Sequence, residues 1–156
     1  MTGSGNGTRY FYFDVSHAVA VHTWIIENSG GLAGNKDLGQ LESPLEHIQN
    51  DFYYPEMEDK LTHLVFSINK NHAFNDGNKR SSLALGAYFL ELNGFDYVVK
   101  RFVKEMENIA VWVADNVIDK NLLHQIISSI LYDDDYSESI KLAIVEAVEA
   151  ASQLKQ

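Results

Sequence analysis

Apolar residues recur at steps of three and four along most of this chain, and no stretch alternates convincingly with a period of two. Residues 56–70 carry the clearest pattern, in which five apolar side chains would share one helical face: Met57, Leu61, Leu64, Val65 and Ile68. Similar patterns predict helices in residues 14–28, 83–92, 102–117, 122–131 and 140–154. The sequence therefore predicts an all-α fold, a compact single-domain helical bundle.

Capping residues indicate where several of these helices begin and end. Asp14 can cap the first helix, which should stop near Asn28 because Ser29-Gly30-Gly31 supplies residues that adopt positive φ. Ser43-Pro44-Leu45-Glu46 combines a cap, a proline at the first helical position and a glutamate three residues after the cap. This tetrapeptide predicts the start of a short helix that runs to about residue 50. Ser137 can cap the last helix.

The chain has 156 residues, enough for one domain with its own core. Residues 1–9 are polar and glycine-rich, and we interpret them as a flexible leader outside the fold. Residues 10–132 are predicted to form the core domain, and residues 133–156 a helical extension packed on it. The run Asp133-Asp134-Asp135 marks the break between the two and should face solvent.

Composition excludes several classes of function. The formal net charge of −10 at pH 7 argues against direct nucleic-acid binding, because a phosphate backbone requires a basic surface. This sequence has no cysteine, so disulfides, thiolate metal sites and thiol nucleophiles are ruled out within it. It has no apolar run of membrane-spanning length and no signal-peptide core, and a cytoplasmic location is the default prediction.

Residues 72–80 concentrate a base, a carboxylate, an amide and two cations between two apolar helical patterns. The second pattern ends at Asn93-Gly94, and its apolar residues on most sides predict the central, buried helix of the bundle. Backbone amides and cations that converge at a helix N-terminus can hold a phosphate. Taken singly, these residues also suit an ordinary turn or a hairpin, but their combination at this spacing favours a phosphate site.

Each polar residue of this loop has a candidate role. His72 can act as a general base toward an incoming hydroxyl, because histidine is the side chain that exchanges a proton near neutral pH. Asp76 is a hard oxygen ligand suited to Mg²⁺ on a nucleotide's phosphates. Gly77 permits a backbone that turns N–H groups toward a ligand. A phosphate donor, two charge-neutralising cations and a hydrophobic anchor complete the loop: Asn78, Lys79, Arg80 and Phe74.

The spelling His-x-Phe-x-Asp-Gly-Asn-Lys-Arg resembles the signature of the Fic/Doc superfamily, in its Doc (death-on-curing) branch. The upstream run Gly30-Gly31-Leu32-x-Gly34-x-x-Asp37-x-Gly39-x-Leu41-x-Ser43 is similar to the corresponding Doc segment. His22, the aromatic-proline link before residue 56 and Leu92-Asn93-Gly94 also fit. The resemblance covers about residues 14–95.

The resemblance implies an enzyme that uses ATP and Mg²⁺ to modify a hydroxyl of a target protein. It implies catalytic roles for His72, Lys79 and Arg80, a metal ligand in Asp76, and nucleotide binding by Phe74, Asp76, Gly77, Asn78, Lys79 and Arg80. Lys79 stands where adenylylating members usually have glycine, and with Ala73 it resembles Doc toxins, in which ATP presents its γ-phosphate. Gly77, where the best-known Doc toxins have alanine, keeps adenylylation as the alternative reaction.

By the same resemblance the chain is the toxin of a toxin–antitoxin pair that phosphorylates a translation factor such as elongation factor Tu. A separate antitoxin would then hold it inactive. The second alternative is a catalytically weak Fic-fold module that binds a partner, which the intact His72, Asp76 and Arg80 disfavour.

Two further patterns have a functional and an ordinary interpretation. Residues 23–28, Thr-Trp-Ile-Ile-Glu-Asn, match the Ser/Thr-x-x-x-Glu-Gly/Asn spelling of the superfamily's inhibitory helix. Three loosely specified positions match easily by chance, so Glu27 is favoured as an ordinary helix residue. His63 and Tyr53-Tyr54 could line the pocket, but we interpret the aromatic residues as part of the core.

Overall fold

The computed structural model describes residues 9–154, which form seven α-helices. They are α1 (Val15–Ser29), α2 (Gly39–His47), α3 (Met57–Lys70), α4 (Asn78–Leu92), α5 (Val99–Ala114), α6 (Lys120–Tyr132) and α7 (Glu138–Leu154). A short 3₁₀ helix, Asp96–Val98, precedes α5. Over this range the only β-pairing is an isolated bridge between Asn35 and Phe74. The all-α prediction is confirmed, while residues 1–8 of the predicted leader lie outside the described residues.

Helices α3 and α4 lie at the centre of the bundle. Helix α3 packs against α2, α4, α5 and α6, and α4 packs against α1, α3 and α5. Burial on α3 extends to polar residues, since Lys60 is fully buried and donates to the Ile48 carbonyl oxygen and to Asp51, both at 2.6 Å. The loop that joins these two central helices, residues 71–77, is therefore held at both ends by the core.

The predicted caps of α1 and α7 are confirmed, whereas the predicted start of α2 is wrong. Asp14 accepts a bond from the His17 N–H at 2.9 Å and caps α1, and Ser137 accepts one from the Ile140 N–H at 3.3 Å. Helix α2, however, begins at Gly39, so the predicted start at Ser43 is wrong and Pro44 lies inside the helix. The reason is Asp37, whose side chain accepts the Gly39 N–H at 3.1 Å and starts the helix one turn earlier.

Helix α7 forms the outer part of the bundle, whereas α5 and α6 pack on the central helix α3. Helix α5 ends at Ala114, earlier than the predicted Val117, because Val117 and Ile118 turn back to donate to the Trp112 carbonyl. Helix α7 packs on α6 and contributes Ile140 to the core. The division of the chain near residue 132 stays a prediction. No helix within residues 9–154 is long and apolar enough to cross a membrane.

Gly86 marks the closest approach of α4 to its neighbours. A Cβ there would lie 2.9 Å from Cζ of Phe102 and 3.0 Å from Cγ2 of Val65, both of them buried core residues. We expect Gly86→Ala to lower the free energy of unfolding by about 1–3 kcal/mol through overpacking, against a helix-propensity gain of about 1 kcal/mol. Urea unfolding measures this loss. In a Phe102→Leu background the loss should shrink, and strict additivity of the two changes would contradict the contact.

A chain of nitrogen groups joins α6, α3 and α2. Nζ of Lys120 lies 2.7 Å from Nδ1 of His63, whose Nε2 lies 3.0 Å from Nδ1 of His47. Burial, and then the nearby Lys120 and His47, lower the pKa of His63 to about 4. His63 is therefore neutral at neutral pH, and Lys120 donates to it.

The lowered pKa of His63 predicts a stability change with pH. Between pH 6.5 and about 4 the unfolded chain binds a proton at this residue that the folded chain does not bind. We therefore expect the free energy of unfolding to fall as the pH falls through this interval. Urea titrations at neutral pH and at about pH 4.5 measure it. His63→Leu should flatten the pH dependence, and an unchanged slope in that variant would contradict the assignment.

Candidate active site

The loop between α3 and α4 is built on two residues with left-handed backbone. His72 has φ 53° and Gly77 has φ 77°, and Gly77 is the N-cap of α4. The Asn78 side chain closes the loop, since its Oδ1 accepts the Phe74 N–H at 3.2 Å and its Nδ2 donates to the Phe74 carbonyl oxygen at 3.1 Å. The predicted phosphate donor thus has one amide hydrogen engaged within the loop.

Phe74 lies beneath the loop rather than in the cleft above it. Its ring is fully buried and stacks on the ring of His22, with centroids 3.8 Å apart and an interplanar angle of 4°. Nε2 of His22 lies 2.6 Å from the Asp76 carbonyl oxygen, so the ring must donate there as the Nε2–H tautomer. Helix α1 thereby supports the loop from below at two points.

Residues 30–37 run alongside the loop and form backbone hydrogen bonds with it at several positions. Lys36 and Asp37 both donate their N–H groups to the Ala73 carbonyl oxygen, at 2.8 and 3.0 Å. The Asn75 N–H donates to the Gly34 carbonyl oxygen at 3.1 Å. The glycine-rich segment and the loop therefore form one hydrogen-bonded unit.

Asp76 is held as an ionised carboxylate. Its Oδ2 accepts the Leu32 N–H at 3.1 Å and its Oδ1 accepts the Gly77 N–H at 2.8 Å. These backbone bonds, the Leu32 bond first, lower the pKa of Asp76, and the positive charges of Arg80 and Lys79 lower it further. Each oxygen keeps lone pairs free, so the carboxylate can accept from or coordinate a ligand.

The start of α4 supplies positive potential to the same place. The first-turn N–H groups of Asn78, Lys79 and Arg80 have no acceptor within the helix. Lys79 is exposed, whereas Nη1 of Arg80 donates to the Gly30 carbonyl oxygen at 2.9 Å. This geometry suits an anion held at the helix N-terminus.

A cleft of about 270 Å³ opens above the loop. It brings together six of the seven predicted site residues, all except Phe74, and its full lining is Asn69, His72, Asn75, Asp76, Gly77, Asn78, Lys79, Arg80 and Ala114. Asn69 was not among the predicted site residues. Its Nδ2 donates to the Ala110 carbonyl oxygen at 2.9 Å, and its buried Oδ1 has no partner among the described residues. The available signal was an asparagine on the buried face of an apolar helix, one turn before His72.

The candidate inhibitory residue Glu27 is exposed near the end of α1. No ion pair between Glu27 and Arg80 forms within the described part of the chain, where Arg80 is bonded to Gly30 instead. Among the aromatic residues interpreted as core, Tyr53 is 71% exposed, so that interpretation is wrong for Tyr53.

Known proteins share the part of the chain that builds this site. That part includes the glycine-rich segment, the loop and the start of α4. A family model described as Fic/DOC family matches residues 12–90. The chain belongs to this family, which confirms the resemblance seen in the sequence.

Two curated relatives place the chain in the Doc branch of the family. "Protein kinase doc" of Escherichia phage P1 is 36% identical over 80 residues, which cover 49% of this chain and 63% of the phage protein. "Toxin Doc" of Mycolicibacterium smegmatis is 33% identical over 94 residues, which cover 58% of this chain and 72% of that protein. The alignment with the phage protein thus spans less than two thirds of its length.

Proposed function

We propose that this chain is a Doc-type toxin that transfers the γ-phosphoryl group of Mg·ATP to a hydroxyl side chain of a target protein. The observation that carries the proposal is the convergence of His72, the Asp76 carboxylate and the N-terminus of α4 in one cleft. The names of the two relatives, one a protein kinase and one a toxin, agree with it. By family resemblance, elongation factor Tu is the candidate target, and inhibition of translation the outcome.

In this mechanism each residue has one task. His72 accepts the proton of the target hydroxyl as the hydroxyl oxygen forms a bond to the γ-phosphorus. The bond between that phosphorus and the β–γ bridging oxygen breaks in the same step, and ADP leaves with the bridging oxygen. The free N–H groups at the start of α4, with Lys79 and Arg80, stabilise negative charge on the phosphate oxygens. Gly77 lets the backbone approach the phosphates because it has no side chain and adopts positive φ.

The donor set fits Mg²⁺ that arrives with a nucleotide. No group of three or more His, Cys, Asp or Glu side chains converges in residues 9–154, so these residues do not build an all-protein metal cage. Mg²⁺ is commonly held by one or two carboxylates together with substrate phosphates and water. Asp76 would be that carboxylate, and the metal would supply neutralisation of phosphate charge.

The reaction is tested by incubating the protein and a cell lysate with ATP labelled at the γ- or the α-phosphate. We expect target label from γ-labelled ATP only. Label from α-labelled ATP would instead support adenylylation, the alternative that Gly77 favours. Absence of target label from both forms of ATP would contradict the enzyme proposal and favour the alternative of a Fic-fold module that binds a partner without catalysis.

The proposal includes a partner and a place of action. A separate antitoxin would bind the toxin and keep it inactive, in line with the toxin relative. The cytoplasm is the proposed location, because the candidate target acts in translation there. Co-expression with a small protein encoded beside the gene should relieve growth inhibition if that neighbour is the antitoxin.

A further inference from the structure

A second cleft, of about 280 Å³, opens between α3, α6 and the aromatic link before α3. None of its residues belongs to the candidate active site. Polar and aromatic side chains from three elements line it, among them Tyr54, Asp59, Thr62, Lys120, Asn121 and His124.

Lys120 brings a positive charge to this cleft without a carboxylate to balance it. Its ammonium lies 6.0 Å from the ring centroid of Tyr54 and 5.8 Å from that of Phe66, and it donates to the neutral His63. Within residues 9–154 no Asp or Glu oxygen lies within 4.0 Å of it, and burial lowers the pKa of Lys120. A bound anion would supply the missing counter-charge.

A buried hydroxyl and free backbone donors lie in the same cleft. Thr62 is only 2% exposed, and its Oγ1 has no hydrogen-bond partner in the described part of the chain. Lys120 and Asn121 are the first two residues of α6, so their N–H groups have no acceptor within the helix. Together they offer an anion one side-chain hydroxyl, two N–H groups and one ammonium.

The two carboxylates near this cleft are already engaged. Asp59 pairs with Nε2 of His124 at 2.8 Å. Asp119 accepts the Leu122 N–H at 2.8 Å as the N-cap of α6. Neither carboxylate bonds to Lys120 or Thr62.

The second cleft lies on the same side of α3 as the active-site cleft. Thr62 lines one and Asn69 lines the other, and seven residues of helix bring both to one face. His72, where the hydroxyl would bind, lies ten residues beyond Thr62, or about 15 Å at about 1.5 Å per residue. An extended peptide covers that distance in about four to five residues.

We propose that this second cleft binds a carboxylate or phosphate group carried by the target protein, about four to five residues along an extended chain from the hydroxyl placed at His72. This inference rests on the proposed function and names a specificity site for it.

Anion binding is tested without catalysis. Amide NMR spectra of the full chain are recorded during titrations with inorganic phosphate and with acetate. We expect saturable shifts at Lys120, Asn121 and Leu122 that Lys120→Gln abolishes and Lys104→Gln retains, because Lys104 is an exposed lysine on α5. Absence of saturable shifts in the unmodified protein would overturn the proposal.

Thr62→Val separates a binding role from a structural one. The substitution keeps the shape of the side chain and removes a hydroxyl that lacks a partner, so it should leave the thermal midpoint unchanged or raise it. The anion-induced shifts should weaken in the same variant. A lowered thermal midpoint with unchanged shifts would show that Thr62 serves the core instead.

Assignment of the anion to the target is tested with peptides that carry one hydroxyl residue and one Asp, Glu or phosphoserine at successive distances. We expect transfer to prefer an acid about four to five residues from the hydroxyl, and Lys120→Gln to remove this preference while retaining transfer to acid-free peptides. The carboxylate and phosphoserine series distinguish the two sources of the anion.

The outcomes separate the two proposals. Transfer without positional preference would overturn the target assignment and leave the proposed function intact. Absence of transfer to every peptide, with anion binding retained at Lys120, would count against both the proposed function and the target assignment that rests on it.

Discussion

His72→Asn is expected to lower label transfer to the target by about 10² to 10⁴-fold, the usual contribution of a general base. The reason is that asparagine cannot accept a proton from the hydroxyl at neutral pH. Asparagine is the informative replacement because His72 has φ 53°, a backbone conformation that asparagine tolerates better than most residues. Rates are measured with γ-labelled ATP at saturating target.

Two further variants separate the effect of losing the base from the effect of straining the backbone at residue 72. His72→Ala removes the same base but strains the left-handed backbone, so it should match His72→Asn in activity and be less stable. Asn71→Ala changes the exposed neighbour and should keep near-normal activity. Wild-type rates in His72→Asn would contradict a base at this position.

Gly31→Ala is expected to lower the transfer rate by about tenfold to a hundredfold, since misplacement of catalytic groups by about 1 Å has effects of this size. A Cβ at residue 31 would lie 2.6 Å from Oδ2 of Asp76 and 3.0 Å from Nη2 of Arg80. Both atoms are at the ends of side chains, so the clash moves them rather than the fold. Activity against Mg·ATP concentration should show a raised KM for the nucleotide as well.

Gly30→Ala is the matched control. Gly30 also has a positive φ, 84° against 120° for Gly31, but a Cβ there meets nothing within 4 Å. Both variants should lose about 1–3 kcal/mol of stability from backbone strain, measured by urea unfolding. Only Gly31→Ala should lose activity, and equal activity losses in the two variants would attribute the effect to strain alone.

Local patterns predicted the helices well because apolar periodicity, and in some helices a capping side chain, is encoded within one or two turns. Asp14 and Ser137 illustrate this, since each bonds to an N–H only three residues ahead. The start of α2 was predicted wrongly because two local capping signals compete there. Ser43-Pro44 is a good cap spelling, but Asp37 captures the Gly39 N–H first, and the helix then runs through the proline.

Contacts between segments that are distant in the chain could not be predicted from local sequence patterns. The stack of His22 on Phe74 joins residues far apart in the chain and buries the predicted hydrophobic anchor beneath the loop. Asn69 gives only a weak local signal, a polar residue on the buried face of α3, because the bond that fixes its amide comes from the Ala110 carbonyl oxygen of another helix. The nine-residue loop spelling could be found because its chemistry is contiguous, whereas the second cleft is assembled from three separate elements.

The bonds between residues 30–37 and the loop have a consequence for hydrogen exchange. The amides of Leu32, Lys36, Asp37 and Asn75 all donate across this junction. Breaking the junction exposes all of them together, so they should exchange with one shared opening free energy. Nucleotide bound to the loop would then slow exchange in a segment that it does not touch.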